Sequence, residues 1–459
     1  MLFNSHIFML LFLPLLLAGW YFLNWKKKFQ LAQGYLIGMS LWFYAYANLQ
    51  YLWLLLFSCL IGWLLSCLPE KIFSEKGKKV LTGVGCVFHL GLLGYFKYSN
   101  FFLENLNTVF HTDFPMLQIL LPVGISFYTF QQLAYLIDRC RGDAPRDSFF
   151  DYLTFMVYFP QLLQGPILLR SEFMGQLKEP ERRRFHAERF SEGIQFFVFG
   201  LAKKVLLADT LAKAVNYGYS NVSMLDSISA LLLAVGYLTE LYFDFSGYCD
   251  MAVGLGKMIG LEVAENFDAP FHSASVKEFW RRWHMTLGRF FTRYVYIPLG
   301  GNRRGKMRTL CNVMIVMLLS GLWHGAAWTF VLWGFLHGVG MIWDNLEHPH
   351  LPKKWMRQAA TFAYVCMTFV FFRAESIAQG IDVLKSIVSL KWNGFVFQMA
   401  SALDMTECYM ITKALSMKLP GLLSWFWLGI FVVLIAICVR VLFGEKVSGV
   451  VALQRQKGY

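Results

Sequence analysis

Two histidines carry the side chains best suited to move a proton. His324 lies in LSGLWHGAAWTFVLWGFLHG, residues 319–338, where the only other ionisable side chain is His337. An ionisable residue inside an apolar run is a functional hypothesis in its own right, because lipid makes charge expensive. Burial keeps an imidazole neutral, and a neutral imidazole can accept a proton from a hydroxyl near pH 7. The competing reading is a histidine that only hydrogen-bonds a neighbouring helix, and one histidine in an apolar run does not separate the two.

The second histidine, His284, belongs to SVKEFWRRWHMTLGRFFTRYVYIPLGGNRRG, residues 275–305. Ser275 and Glu278 have the spacing of a capping box that starts a helix. A helix continuing from there places Lys277, Arg281, His284 and Gly288 on one face, with Arg282 beside them. Trp280, Trp283 and Phe291 are expected on the other side. Guanidinium groups match phosphate geometry, so Lys277, Arg281 and Arg282 are candidates for a phosphate-bearing cofactor. The alternative is an anchor for lipid headgroups. A third stretch, YFDFSGYCDMAVGLG at 242–256, offers Asp244 and Asp250 to pair with Arg281 or Arg282, to orient a histidine, or to cap a helix. Gln131, Gln132 and Asp138 read as polar helix-packing residues.

The elements that must position these groups are set by composition. Of 459 residues, 57% are apolar and only 15% charged, so a water-soluble enzyme is excluded. The net charge of +13 reads as basic loops of a membrane protein and not as a nucleic-acid surface. Nine scattered cysteines without CxxC spacing give neither a disulfide framework nor a metal site. Runs of ~20 apolar residues suffice to span a bilayer. Such runs lie near 6–24, 31–49, 51–68, 80–98, 116–137, 190–208, 228–247, 358–374 and 422–440, with two shorter ones in 309–346. The fold class is therefore an all-α polytopic membrane protein of about eleven transmembrane helices. The segment 150–168, interrupted by Pro160 and Pro166, reads as re-entrant or interfacial. One membrane domain covers 1–459.

Basic loops orient the chain. Lys26 to Lys28, the loop with Lys71 to Lys79, Arg139 to Arg146, the segment 170–189 and the stretch 257–308 are expected inside. So is the tail with Lys446, Arg455 and Lys457, while the loop near 99–115 and residues 209–226 belong outside. The N-terminus is then outside and the C-terminus cytoplasmic.

Together with MLFNS, GYFKYSNFF, LPVGISFYTFQ, FPQLLQGPI, ENFDAPF and FVFFRAES, these stretches run in order over most of the chain. The sequence resembles the bacterial branch of the membrane-bound O-acyltransferase (MBOAT) family, the enzymes that O-acetylate alginate, peptidoglycan or cellulose. The resemblance implies helices around a central tunnel that joins a cytoplasmic donor face to an outer acceptor face. It implies His324 as the catalytic residue and His284 as a second essential position. It further implies acetyl-CoA as donor, a periplasmic or surface partner protein, a polysaccharide as final acceptor, and residence in the bacterial inner membrane. Two alternatives remain at this stage. One is a polysaccharide or lipid transporter without bond chemistry, the other an acyltransferase using a different donor.

Overall fold

The computed structural model describes residues 1–47, 49–67, 74–346, 352–405 and 408–442. Lys71 and the basic tail at Lys446, Arg455 and Lys457 lie outside the described residues. Each apolar run forms a helix, and no strand occurs among the described residues. The principal helices are α1 (Leu13–Trp25), α2 (Phe29–Ala45), α3 (Gln50–Cys67), α4 (Glu75–Leu93), α5 (Ser99–Phe110), α6 (Ile125–Arg141), α7 (Phe149–Val157), α8 (Ala187–Ala202) and α9 (Asp209–Ser220). They continue as α10 (Ser227–Ile259), α11 (Val276–Arg282), α12 (Met285–Phe291), α13 (Lys306–His324), α14 (Trp328–Asn345), α15 (Lys354–Arg373), α16 (Ile377–Val388) and α17 (Pro420–Leu442).

Six helices among the described residues are long and apolar enough to cross a membrane. They cover Phe8–Trp25, Gln50–Cys67, Glu75–Phe110, Ser227–Ile259, Lys306–His324 and Pro420–Arg440. The chain is a multi-pass membrane protein. Its large exposed apolar side chains, such as Leu10, Trp53, Val87 and Val433, are what a lipid-facing surface requires.

Three stretches differ in local structure from the sequence-based expectation. The loop expected near 99–115 is mostly helix, because α4 runs through a π-helical turn at Gly94–Tyr98 into α5. Conversely, the first part of the run at 116–137 is not helical, and α6 begins only at Ile125. Pro122 disfavours helix at the residue before it, and Gly124 takes φ 77°. The extended return past α5 is held by side chains in place of a helical ladder. Asn100 bonds both backbone groups of Leu117, at 2.8 and 2.9 Å, and Asn107 does the same for Phe114 at 2.9 Å. Residues 209–226, expected as an outer connection, are largely α9.

Contacts between Cα atoms divide the chain into two compact units interleaved in sequence. The first comprises Met1–Val198, Tyr248–Glu265 and Thr286–Pro298. Its core is aromatic, with Phe3, Phe8, Phe12, Phe43 and Phe159 in mutual ring contact. The segment 150–168 bends at Tyr158, makes one turn at Phe159–Leu162 and continues without helix. It is almost wholly buried, and its Ile167 N–H donates to Thr286 Oγ1 at 3.0 Å. Non-helical backbone is tolerated there because protein surrounds it. Asp138 accepts from Arg293 at 3.0 Å and from Tyr294 at 2.9 Å, and Gln132 bonds Tyr152 and Cys59, so these polar residues serve packing.

The second unit comprises Phe199–Gly247, Asn266–Met285 and Leu299–Tyr459. In it α13 and α14 form a tight antiparallel pair. A Cβ on Gly321 would lie 2.3 Å from Phe330 O, and one on Gly334 would lie 2.4 Å from Met317 O. Only glycine at both positions lets the two backbones approach so closely. Buried Asp226 ties α10 to the loop before residue 395, bonding Ser229 N at 2.8 Å and the N–H groups of Asn393 and Gly394 at 3.1 Å.

Candidate active site

Both candidate histidines belong to the second unit. His324 is the last residue of α13, and the chain leaves the helix through Gly325 at φ −160° before Trp328 opens α14. A Cβ on Gly325 would lie 2.0 Å from the Phe330 ring, so any larger residue would have to displace that ring. The half-buried His324 ring is walled by Trp323, Trp333 and Phe372, with centroids at 4.9, 5.2 and 5.1 Å.

His284 occupies a break. Ser275 caps α11 as expected, its Oγ accepting from Glu278 N at 3.1 Å, while Glu278 reaches back to Ala274 N at 2.8 Å. The helix then stops at Arg282. Trp283 is extended and His284 takes φ 47°, so no single helix carries Lys277, Arg281, His284 and Gly288 on one face. The preceding ENFDAPF segment makes the break, through Asp268 N to Arg282 O at 2.8 Å and Met285 N to Asn266 O at 3.0 Å. These bonds satisfy backbone groups that a continuous helix would have paired.

The His284 side chain is 1% exposed. Its Nδ1 lies 3.2 Å from Asn266 Oδ1, and Phe245 packs edge-on at 4.7 Å. With an amide oxygen facing Nδ1, that nitrogen carries the proton and Nε2 presents a lone pair. Nε2 is buried and has no hydrogen-bond partner among the described residues. Burial disfavours the imidazolium form and pushes the pKa down to about 3. The rings of His284 and His324 stand 6.3 Å apart, and Trp323 lies 6.0 Å from His284.

The cationic candidates do not converge. Lys277 bonds Asp344 through its N–H and Asn345 through Nζ, both at 2.8 Å. Arg282 is held by Glu278 at 3.0 Å and by Asp268 O at 3.3 Å. Arg281 is exposed and has no partner among the described residues. Asp244 pairs with Lys204 at 2.5 Å and not with Arg281 or Arg282.

Residues 141–380, just over half of the chain, match the profile of the membrane-bound O-acyltransferase family. A peptidoglycan O-acetyltransferase of Helicobacter pylori is 35% identical over 423 residues, which is 85% of this chain and 80% of that protein. The chain belongs to the membrane-bound O-acyltransferase family. A probable alginate O-acetylase of Azotobacter vinelandii is 39% identical over 82% of this acyltransferase and 76% of its own length. A teichoic acid D-alanyltransferase of Bacillus subtilis is 28% identical over 55% of the chain and 69% of its own length. Membership sets aside the reading as a transporter without bond chemistry. His284 and His324 both fall within the matched segment of the acyltransferase.

The structure also gives a role to His337, which the sequence marked only as the other ionisable group of its run. Trp280 Nε1 donates to its Nδ1 at 3.2 Å, and its Nε2–H donates to Thr368 Oγ1 at 2.9 Å. The Thr368 hydroxyl is itself donated to Val365 O. Both nitrogens of His337 are therefore occupied, and the residue joins α11, α14 and α15 behind the Trp333 wall.

Proposed function

We propose that this acyltransferase moves an acetyl group from cytoplasmic acetyl-CoA across a bacterial inner membrane and, via a partner protein, toward hydroxyls of an extracytoplasmic polysaccharide. The observation that carries the reading is the pair of imidazoles 6.3 Å apart inside an aromatic enclosure, one half-buried and one whose Nε2 has no hydrogen-bond partner among the described residues. The two relatives at 35 and 39% identity cover more of the chain than the D-alanyltransferase does, which favours acetyl as the acyl group. In this reading the chain is one membrane domain of about eleven crossings around a tunnel, with the N-terminus outside and the C-terminus inside.

The chemistry needs little from the protein, because a thioester is already activated. His324 removes the proton of the acceptor hydroxyl as its oxygen attacks the thioester carbonyl. The tetrahedral adduct collapses by breaking the carbon–sulfur bond, and the same proton passes to the departing CoA thiolate. A transient acyl-imidazole on His324 is the second route, with the same overall balance. His284, with its lone pair on Nε2, suits accepting an N–H of the donor better than stabilising an oxyanion. The aromatic walls keep water from the thioester. Lys277, Arg281 and Arg282 remain candidates for CoA phosphates, and Arg281 is the one whose guanidinium is uncommitted.

The test is acetyl-CoA consumption by the purified protein supplied with acceptor, beside mass spectrometry of surface polysaccharide from wild-type and His324→Ala strains. The reading requires ester loss in the variant at normal protein level. Unchanged acetylation would overturn it.

A further inference from the structure

Trp333 forms one wall of the His324 enclosure and carries a buried donor that the fold does not use. The residue is fully buried. Its ring stands edge to face with that of His324, centroids 5.2 Å apart and planes inclined at 85°. His337, Phe372, Phe369 and Trp280 close round it at 4.9, 5.0, 5.5 and 5.6 Å. Rings therefore hold the indole from several sides, and Gly334, the next residue, sets the close approach of α14 to α13. Yet Trp333 Nε1 is buried with no hydrogen-bond partner among the described residues.

The neighbouring indole makes the contrast. Trp280 donates its N–H to His337 Nδ1 at 3.2 Å. Packing alone does not call for a second indole, since Phe369 and Phe372 line the same wall without a polar atom. A buried N–H among rings gains at most a weak contact, and leaving it open is destabilising. Such a group in a native core calls for an explanation, and a ligand that completes it supplies one. At His324 the ligand with an acceptor to offer is the thioester carbonyl.

When the nucleophile adds to that carbonyl, the π electron pair moves onto oxygen and the charge must be met where water is excluded. His284 cannot meet it, because its Nδ1 carries the proton toward Asn266 and its Nε2 bears a lone pair. Both nitrogens of His337 are taken. We infer that Trp333 Nε1–H is the donor to the carbonyl oxygen of the tetrahedral adduct, which makes Trp333 a catalytic residue beside His324. The N–H keeps its proton throughout. The oxygen's electron pair returns to re-form the carbonyl as the carbon–sulfur bond breaks. The surrounding rings fix the indole before substrate arrives, so the donor needs no reorganisation at the moment of reaction. The inference rests on thioester acyl transfer at His324 but on no particular acyl group.

The test exchanges the N–H for sulfur while keeping the shape of the ring. 3-Benzothienylalanine is placed at 333, and separately at 280, in the full chain in membranes of the native host, where partner and acceptor are present. CoA release is followed from acetyl-CoA and, in parallel, from butyryl-CoA, and Tm is read on the purified proteins. At 333 kcat should fall by ~10²-fold, the scale of one lost oxyanion donor, with the KM for acetyl-CoA and the Tm unchanged. At 280, where the N–H serves His337, the Tm should fall and kcat per folded molecule should hold. Trp333→Phe also lacks the N–H, and should show the same loss of kcat per folded molecule if the analogue is not incorporated. Normal kcat at 333 with acetyl-CoA turnover intact would overturn the role of Trp333 and leave the acetyl-transfer reading standing. A wild type that uses butyryl-CoA and not acetyl-CoA, with the 333 analogue still impaired, would uphold Trp333 and overturn the acetyl reading instead.

Discussion

The imidazole of His284 faces that of His324 with centroids 6.3 Å apart and ring planes inclined at 61°. Neither residue sits in the middle of a helix. His324 ends α13, and His284 fills the gap between α11 and α12 at φ 47°. Each break turns a side chain out of the regular helical surface and into the same aromatic enclosure. The Trp323 ring touches both histidines, at 6.0 and 4.9 Å.

His324→Gln should leave insertion and thermal stability near normal, because glutamine keeps hydrogen-bonding capacity and similar bulk in a half-buried place. It cannot act as a base near pH 7, so acetyl transfer per folded molecule should fall by ~10²-fold or more. Specific activity of detergent-purified protein, normalised to the folded fraction, decides the matter. Near-normal activity would move the base to His284.

His284 ties stability to pH. Its pKa is pushed from 6.5 in the unfolded chain down to about 3 in the folded one. Below about 6.5 the unfolded chain takes up a proton that the folded chain refuses until about 3. The contribution is therefore fully present above 6.5 and is lost as pH falls through that window. Asparagine accepts a left-handed backbone, so His284→Asn should fold and show a shallower decline of Tm on acidification. An identical slope in the two proteins would contradict the assignment.

Arg281 and Arg282 should separate cleanly. Arg281 is uncommitted, so Arg281→Gln should raise the KM for acetyl-CoA and leave kcat unchanged, the pattern for loss of uniform binding. Arg282 holds Glu278 and Asp268 O, so Arg282→Gln should lower the Tm first. An unchanged donor KM in folded Arg281→Gln would favour a lipid-headgroup contact for that residue.

Backbone contact between α13 and α14 gives the next expectation. Gly321→Ala drives a methyl to 2.3 Å from Phe330 O, which only a shift of the helix pair relieves. A loss of ~1–3 kcal/mol is expected for such overpacking, with a fall in kcat as the end of α13 moves. Gly83→Ala in α4 meets nothing within 4 Å and is the control. It should be neutral or stabilising by ~0.5–1 kcal/mol through helix propensity.

Much of this architecture was legible in the residues. Apolar runs became helices because lipid and buried core alike demand that backbone groups pair within the segment. Ser275 was readable as a cap, because capping is a local bond between neighbours in sequence. The late start of α6 was readable too, since Pro122 and Gly124 mark it, but the apolar run concealed them. The break at His284 had no such mark. FWRRWHMTLGRFF contains no proline, and its one glycine lies beyond the break, so local propensity favours a continuous helix. What overrides it are bonds from Asn266 and Asp268, which supply partners to the freed backbone groups and to the imidazole. The sequence by itself determined a helical membrane acyltransferase and pointed to its two histidines. Only the tertiary structure decided that they share an enclosure while Lys277 and Arg282 are drawn into other bonds. A helical face is a short-range property, whereas the fate of a broken helix depends on what the rest of the chain brings to its open ends.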